Sequence, residues 1–209
     1  MQNDPWVQIL MLGVGLYVAK LWLDDFRARR SGQSNPRALP GAASAPARAI
    51  TLAATGGLLI VAAETWGEKS LGIAGQQSTM TGLFAAYTLV AAVIEEIIFR
   101  GFIVIEKRGK LMLWASVLTA SVLFTAIHPF LWQWEGGLPW NGGHLSGIFA
   151  LKGWFSTAAV FVSSLWFYFV RFAAFNPERS LLPCFAAHAS KNIGVILIKA
   201  TQGFLVGWW

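Results

Sequence analysis

The chain has 209 residues and a formal net charge of +6; 56% of its residues are hydrophobic and only 12% are charged, about half the charged share of an ordinary soluble domain. Mean hydropathy is +0.55, and a soluble globule this small has too much surface for its volume to hide so much apolar area. Disordered chains and almost any soluble enzyme are therefore excluded. A disulfide-built scaffold is excluded too, because Cys184 is the only cysteine. What remains is an all-α, polytopic bundle of membrane helices.

Six apolar stretches are long enough for a hydrocarbon core of roughly 30 Å, which takes about 20 helical residues to cross. They lie near 6–23, 49–66, 79–105, 111–128, 154–172 and 181–207. The first resembles a leader peptide in length. However, Asp4 precedes it and the arginines follow it, which is the layout of a retained span with its N-terminus outside. Ala38 to Ala47 is rich in Ala and Pro and reads as a flexible connector. This divides the chain into a two-span region, 1–78, with a basic connector at 24–48, and a core at 79–209.

Arg27, Arg29, Arg30, Arg37, Arg48, Lys107, Arg108, Lys110, Arg171 and Arg179 fall in alternate connectors, against Lys69 and Lys152 in the others. The first set is therefore expected in the cytoplasm. Basic residues confined to short connectors form no continuous face, so no nucleic-acid partner is expected. Trp6, Trp22, Trp66, Trp114, Trp154, Trp208 and Trp209 sit near span ends, as an interfacial belt requires, whereas Trp166 fills the bundle.

Lys20, Glu64, Glu95, Glu96, Arg100, Lys191 and Lys199 fall within or at the edges of spans. Lys20 and Glu64 lie close enough to the ends to snorkel. A charge deeper in the bilayer costs about 2.5–3.5 kcal/mol and pairs or lines a polar cavity. On an α-helix Glu96 and Arg100 share a face as an i,i+4 pair, and Glu95 points about 100° away. One carboxylate is then neutralised by Arg100 and the other stays free to act as a general base. Phe124 and His128 are i,i+4 near the end of the fourth span, and His188 and Asn192 are i,i+4 in the sixth. His144 reads as a residue of the Gly-rich outer loop.

Glu95-Glu96-x-x-x-Arg100 followed by Gly101, Phe124-x-x-x-His128 and His188-x-x-x-Asn192 resemble, in order and spacing, the CAAX-protease and bacteriocin-processing (CPBP, or Abi) family of glutamic-type intramembrane proteases. The resemblance covers roughly residues 79–195. It implies an endopeptidase in which Glu95 activates water, His128 positions it, and His188 and Asn192 stabilise the oxyanion. Glu96 and Arg100, with Phe124, would support the site. It also implies a peptide or protein substrate within the bilayer, lipids as neighbours, no cofactor, and a multi-pass location in a bacterial plasma (inner) membrane.

Three other readings stay open at this level. Zinc bound by Glu95, His128 and His188 is an alternative chemistry, since His and carboxylate are suitable ligands. Cys184 and His188 are i,i+4 and form a thiol–imidazole candidate. A non-enzymatic immunity, scaffold or transport protein would also tolerate intramembrane charges.

Depth along the spans brings a tension. With about 1.5 Å of rise per residue, Glu95, His188 and Asn192 all lie about 10–16 Å above the cytoplasmic ends of their spans. His128 comes out near 25 Å, unless the fourth span starts near Trp114 or tilts. Lys191 is expected to snorkel. Lys199 shares the face of Asn192 and is a candidate substrate contact, with Glu64 as the rival partner. For the topology, cysteine labels at Ser34 and Lys110 should react only from the cytoplasmic side and one at Gly142 only from outside. The reverse pattern would overturn the charge-based orientation.

Overall fold

The computed structural model describes residues 4–33 and 35–209. Met1, Gln2, Asn3 and Ser34, and with them one label position, lie outside the described residues. Helix α1 spans Pro5–Arg30, α2 Ala47–Ser70, α3 Gly82–Glu95, α4 Lys110–Ala126, α5 Leu151–Phe172 and α6 Leu182–Thr201. From Glu96 to Phe102 the third helix continues as a π-helix. Four helical stretches, with α3 counted through Phe102, are long and apolar enough to cross a membrane, and α4 is a shorter apolar helix. The chain is a helical membrane bundle.

Local chemistry explains the helix ends. The Asp4 side chain accepts from the Trp6 amide at 2.9 Å, with Pro5 at the first helical position, where its missing N–H costs nothing. Thr81 caps α3 through the Phe84 amide at 3.2 Å. Basic Arg27, Arg29 and Arg30 occupy the last turn of α1, opposite the negative end of the helix dipole. The α1 helix thus runs beyond its apolar stretch into the basic connector.

Helix α1 packs on α3, and α2 packs on α6. A Cβ added at Gly57 of α2 would stand 2.4 Å from the Ala187 carbonyl oxygen and 2.5 Å from Ser190 Oγ, so the absence of a side chain lets these two helices touch. The Ser190 hydroxyl donates across the contact to the Ala54 carbonyl at 2.9 Å. Small residues that admit a neighbouring backbone are the usual basis of helix association in lipid.

Several sequence expectations are corrected. The Ala38–Ala47 tract is not a loose connector. The Leu39 amide donates to Asp25 at 2.8 Å, Ser180 Oγ donates to the Ala43 carbonyl at 2.5 Å, and Ala42 and Ala43 are buried. Trp22 does not join an interfacial belt. It is 4% exposed, donates to the Pro40 carbonyl at 3.1 Å and packs edge-on against Phe185. Arg171 is not a connector residue but the buried last turn of α5, where it shares Glu106 with Arg179 at 3.2 and 2.8 Å. The Gly-rich loop after α4 holds an antiparallel hairpin, β1 (Trp132–Glu135) with β2 (His144–Gly147), so His144 is a strand residue opposite Glu135. The Ser146 hydroxyl, followed by the Gln133 amide, donates to Glu135 and holds its carboxyl below the usual range.

The α2–α6 contact predicts a difference in sign between two glycines. Gly57→Ala should destabilise the protein by roughly 1–3 kcal/mol through overpacking. Gly13→Ala, where a Cβ meets nothing within 4 Å, should be neutral or mildly stabilising through helix propensity. Thermal unfolding of the two variants in detergent reads the difference.

Candidate active site

The change from α to π geometry falls at the acid pair. The Ile103 amide donates to the Ile98 carbonyl at 3.0 Å, a five-residue step. The α-helical 100° rule therefore ends at Glu95. Single π turns inside helices recur at functional sites. Here the turn lets two successive carboxylates address one imidazole. His188 Nδ1 donates to Glu96 Oε1 at 2.7 Å, and its Nε2 stands 3.8 Å from Glu95 Oε2.

Glu96 and Arg100 are both 0% exposed. Arg100 Nη1 lies 3.2 Å from Glu96 Oε1, and Nη2 donates to Ser164 Oγ of α5 at 2.7 Å. Ser164 Oγ in turn donates to Ser121 Oγ of α4 at 3.1 Å. The guanidinium also lies 4.3 Å from the Phe124 ring centroid and 4.8 Å from that of Tyr168, within cation–π range. The expected Glu96–Arg100 pair is therefore present, with His188 as a third member. Ser121, Ser164 and Tyr168 went unread in the sequence, although a Ser163-Ser164 step inside an apolar span was the available signal. Gly101 matters here for space: a Cβ would stand 2.9 Å from the Pro40 ring.

Glu95, His128, His188 and Asn192 line one cavity of about 1040 Å³. Glu95 keeps 28% of its side chain exposed and forms no direct hydrogen bond with His188, which is 3.8 Å away. His128 follows the end of α4, where its Nδ1 donates to the Phe124 carbonyl at 2.7 Å. This leaves Nε2 with its lone pair in the neutral ring. Because α4 begins at Lys110, a later start does not resolve the depth tension. The ring is instead turned back against Phe124, 4.8 Å between centroids, and Phe124 itself lies 6.1 Å from the His188 ring. Asn192 Nδ2 donates to the Thr88 carbonyl of α3 at 3.0 Å, which orients its amide and leaves a second N–H.

The lysines differ from expectation. Lys191 does not snorkel; it is 8% exposed and pairs with Glu64 at 3.3 Å, which gives Glu64 a partner inside the bundle. Glu64 is thus not the partner of Lys199, whose Nζ donates to the Ser78 carbonyl at 2.5 Å. Lys20 is exposed and pairs with Asp24. Sequence reasoning missed Glu68. It is 3% exposed, is bonded to Lys152 and accepts from Gln77 at 2.5 Å. Its neighbours come from a different loop and a different helix, so no local spacing reveals it.

Among the described residues no group of three His, Cys, Asp or Glu side chains is placed to hold a metal ion. Nδ1 of His128 and of His188 are both bonded to protein acceptors, which leaves each Nε2 toward the cavity. Cys184 is fully buried and its Sγ donates to the Phe167 carbonyl at 3.3 Å, so the thiol is sealed in the core and does not face the cavity.

No curated protein and no solved structure matches the chain. A family model described as type II CAAX prenyl endopeptidase Rce1-like matches residues 77–194. That stretch begins just before α3, ends inside α6 and contains both acids, Arg100, Phe124, both cavity histidines and Asn192. With more than half of its length matched by this model of membrane proteases, the chain belongs to the Rce1-like type II CAAX prenyl endopeptidase family.

Proposed function

We propose that the protein is an intramembrane endopeptidase that cleaves a peptide bond of a membrane-associated or exported polypeptide with water activated by Glu95. One observation carries this reading: a carboxylate that keeps 28% of its side chain exposed and is bonded to no Lys or Arg among the described residues stands in a cavity beside two imidazoles and a carboxamide. Glu95 and His128 Nε2 are both acceptors, so a water donating one hydrogen to each presents its lone pair to a substrate carbonyl. Glu95 takes the proton as the C–O bond forms, and returns it to the amine nitrogen as the C–N bond breaks.

The developing oxyanion needs donors already aimed at it. Asn192 supplies its free N–H. His188, fixed through Nδ1–H by Glu96, turns its Nε2 edge toward the same cavity. The reading requires no metal. For location, the reading is a multi-pass protein of a bacterial inner membrane, and the ten-to-two division of basic residues supports an orientation with the N-terminus outside. A bacteriocin or pheromone precursor, a C-terminal sorting tag and a membrane regulator all fit as substrate classes.

The two acids should fail differently. Glu95→Gln should leave the protein folded and lower turnover by roughly 10²–10⁴-fold, the usual share of a general base. Glu96→Gln strands Arg100, and breaking a buried pair costs about 3–5 kcal/mol, so its loss should appear in thermal stability and yield. Turnover of a membrane-peptide library alongside melting curves tests both, and near-wild-type turnover by Glu95→Gln would sink the proposal.

A further inference from the structure

Three lysines line the cavity beyond the acid pair, and only two of them have a carboxylate. Lys191 is paired with Glu64, and Lys152 with Glu68. Lys199, 6% exposed, has no ion pair among the described residues. Its ammonium donates to the Ser78 carbonyl at 2.5 Å, lies 3.5 Å from Ser78 Oγ, and stands 5.8 Å from the Phe204 ring centroid. These contacts leave donor capacity unused on a group with three N–H bonds. A buried cation with no carboxylate in contact is costly. Glu68 and Glu64 act on this one only from beyond ion-pair distance and are taken by Lys152 and Lys191. It lines the cavity that the protease reading assigns to a polypeptide.

We infer that Lys199 is the anchor for a carboxylate of the substrate and thereby sets where the chain is cut. The inference rests on the protease reading above. Lys199 is eleven residues beyond His188 on one helix, which is about 16 Å along the axis. A substrate strand advances about 3.3 Å per residue, so the anchored carboxylate lies about five residues from the bond held at Glu95. Lys199 touches no reacting atom. It acts on specificity and register, so its removal should raise KM and scatter the cut site while kcat stays.

The cavity's far walls also say from which side the substrate comes. Pro5, Ser78, Lys152 and Trp209 lie there, in the segments that the charge division assigns to the non-cytoplasmic side. The Arg-rich segments are at the other end of the bundle. The anchored carboxylate is thus met by a chain descending from the exported face.

The test uses full-length protein in lipid nanodiscs and apolar fluorogenic peptides in three forms: a free C-terminal acid, a C-terminal amide, and an amide with one internal Glu. Peptides carrying a carboxylate about five residues from the cut should show a KM lower than the plain amide by roughly tenfold, the scale of one charge-assisted hydrogen bond. Lys199→Met should erase that difference and Lys199→Arg should keep it. Preference for the free acid alone identifies the C-terminus as the source, and equal preference identifies any carboxylate at that distance.

Acid and amide cut equally by wild type, or a preference that survives in Lys199→Met, overturns the inference. Binding of the same labelled peptides to Glu95→Gln, by fluorescence polarisation, separates the two readings. Carboxylate-selective binding that depends on Lys199 but comes without cleavage by the wild type would sink the protease reading and leave the anchor standing. Loss of selectivity with cleavage intact does the reverse.

Discussion

The structure depends on one buried carboxylate. Glu96 is fully enclosed, yet it faces Arg100 on its own helix and His188 on α6. A lone charge in that position would be prohibitively costly, and the partners offset the cost only because they are held at short range. Arg100 is gripped in turn by Ser164 of α5, which bonds Ser121 of α4, and by the faces of Phe124 and Tyr168. Four helical segments are therefore tied to the charge of a single side chain. In lipid, where apolar packing distinguishes helix–helix from helix–lipid contact only weakly, such a knot selects one arrangement among many.

The two ends of the bundle are built differently. At the arginine-rich end, Glu106 is shared by Arg171 and Arg179, and Asn176 donates to the Val170, Arg171 and Ser180 carbonyls. The Ser180 hydroxyl reaches across to Ala43. These contacts tie three connectors together around a cavity of about 1070 Å³ lined by Arg29, Glu106 and Arg171. The cavity that holds Glu95 lies toward the other end. Ion pairs such as Lys191–Glu64 line its walls and do not bridge the opening. Glu95 thus meets the polar-lined chamber with 28% of its side chain exposed, while Glu96 and Arg100 beside it are fully enclosed.

Much of this was legible in the chain. Hydropathy located the six helices, and the i,i+4 spacings of Glu96 with Arg100 and of Phe124 with His128 are true neighbours in space. Such features are local: they depend on helical periodicity and on the high cost of charge in an apolar medium. The misreadings share the opposite property. Trp22 looked interfacial because it sits near a span end, but the Ala38–Ala47 tract folds back and covers it. Lys191 looked able to reach the headgroups, but Glu64 of α2 lies alongside. The β1–β2 hairpin came from a loop whose glycines suggested no regular structure.

By itself the sequence determined that this is a helical membrane bundle with ionisable groups buried by necessity, because 56% hydrophobic and only 12% charged residues allow little else. It also determined which side chains had to be paired or solvated. Only the tertiary structure decided the partners: that one imidazole bonds Glu96 and stands beside Glu95, that Lys191 takes Glu64, and that Lys199 is left with a carbonyl. The physical reason is range. Helical spacing fixes neighbours over one or two turns, whereas an ion pair between helices depends on which backbones touch, and that was settled by small residues such as Gly57 and by the π turn after Glu95.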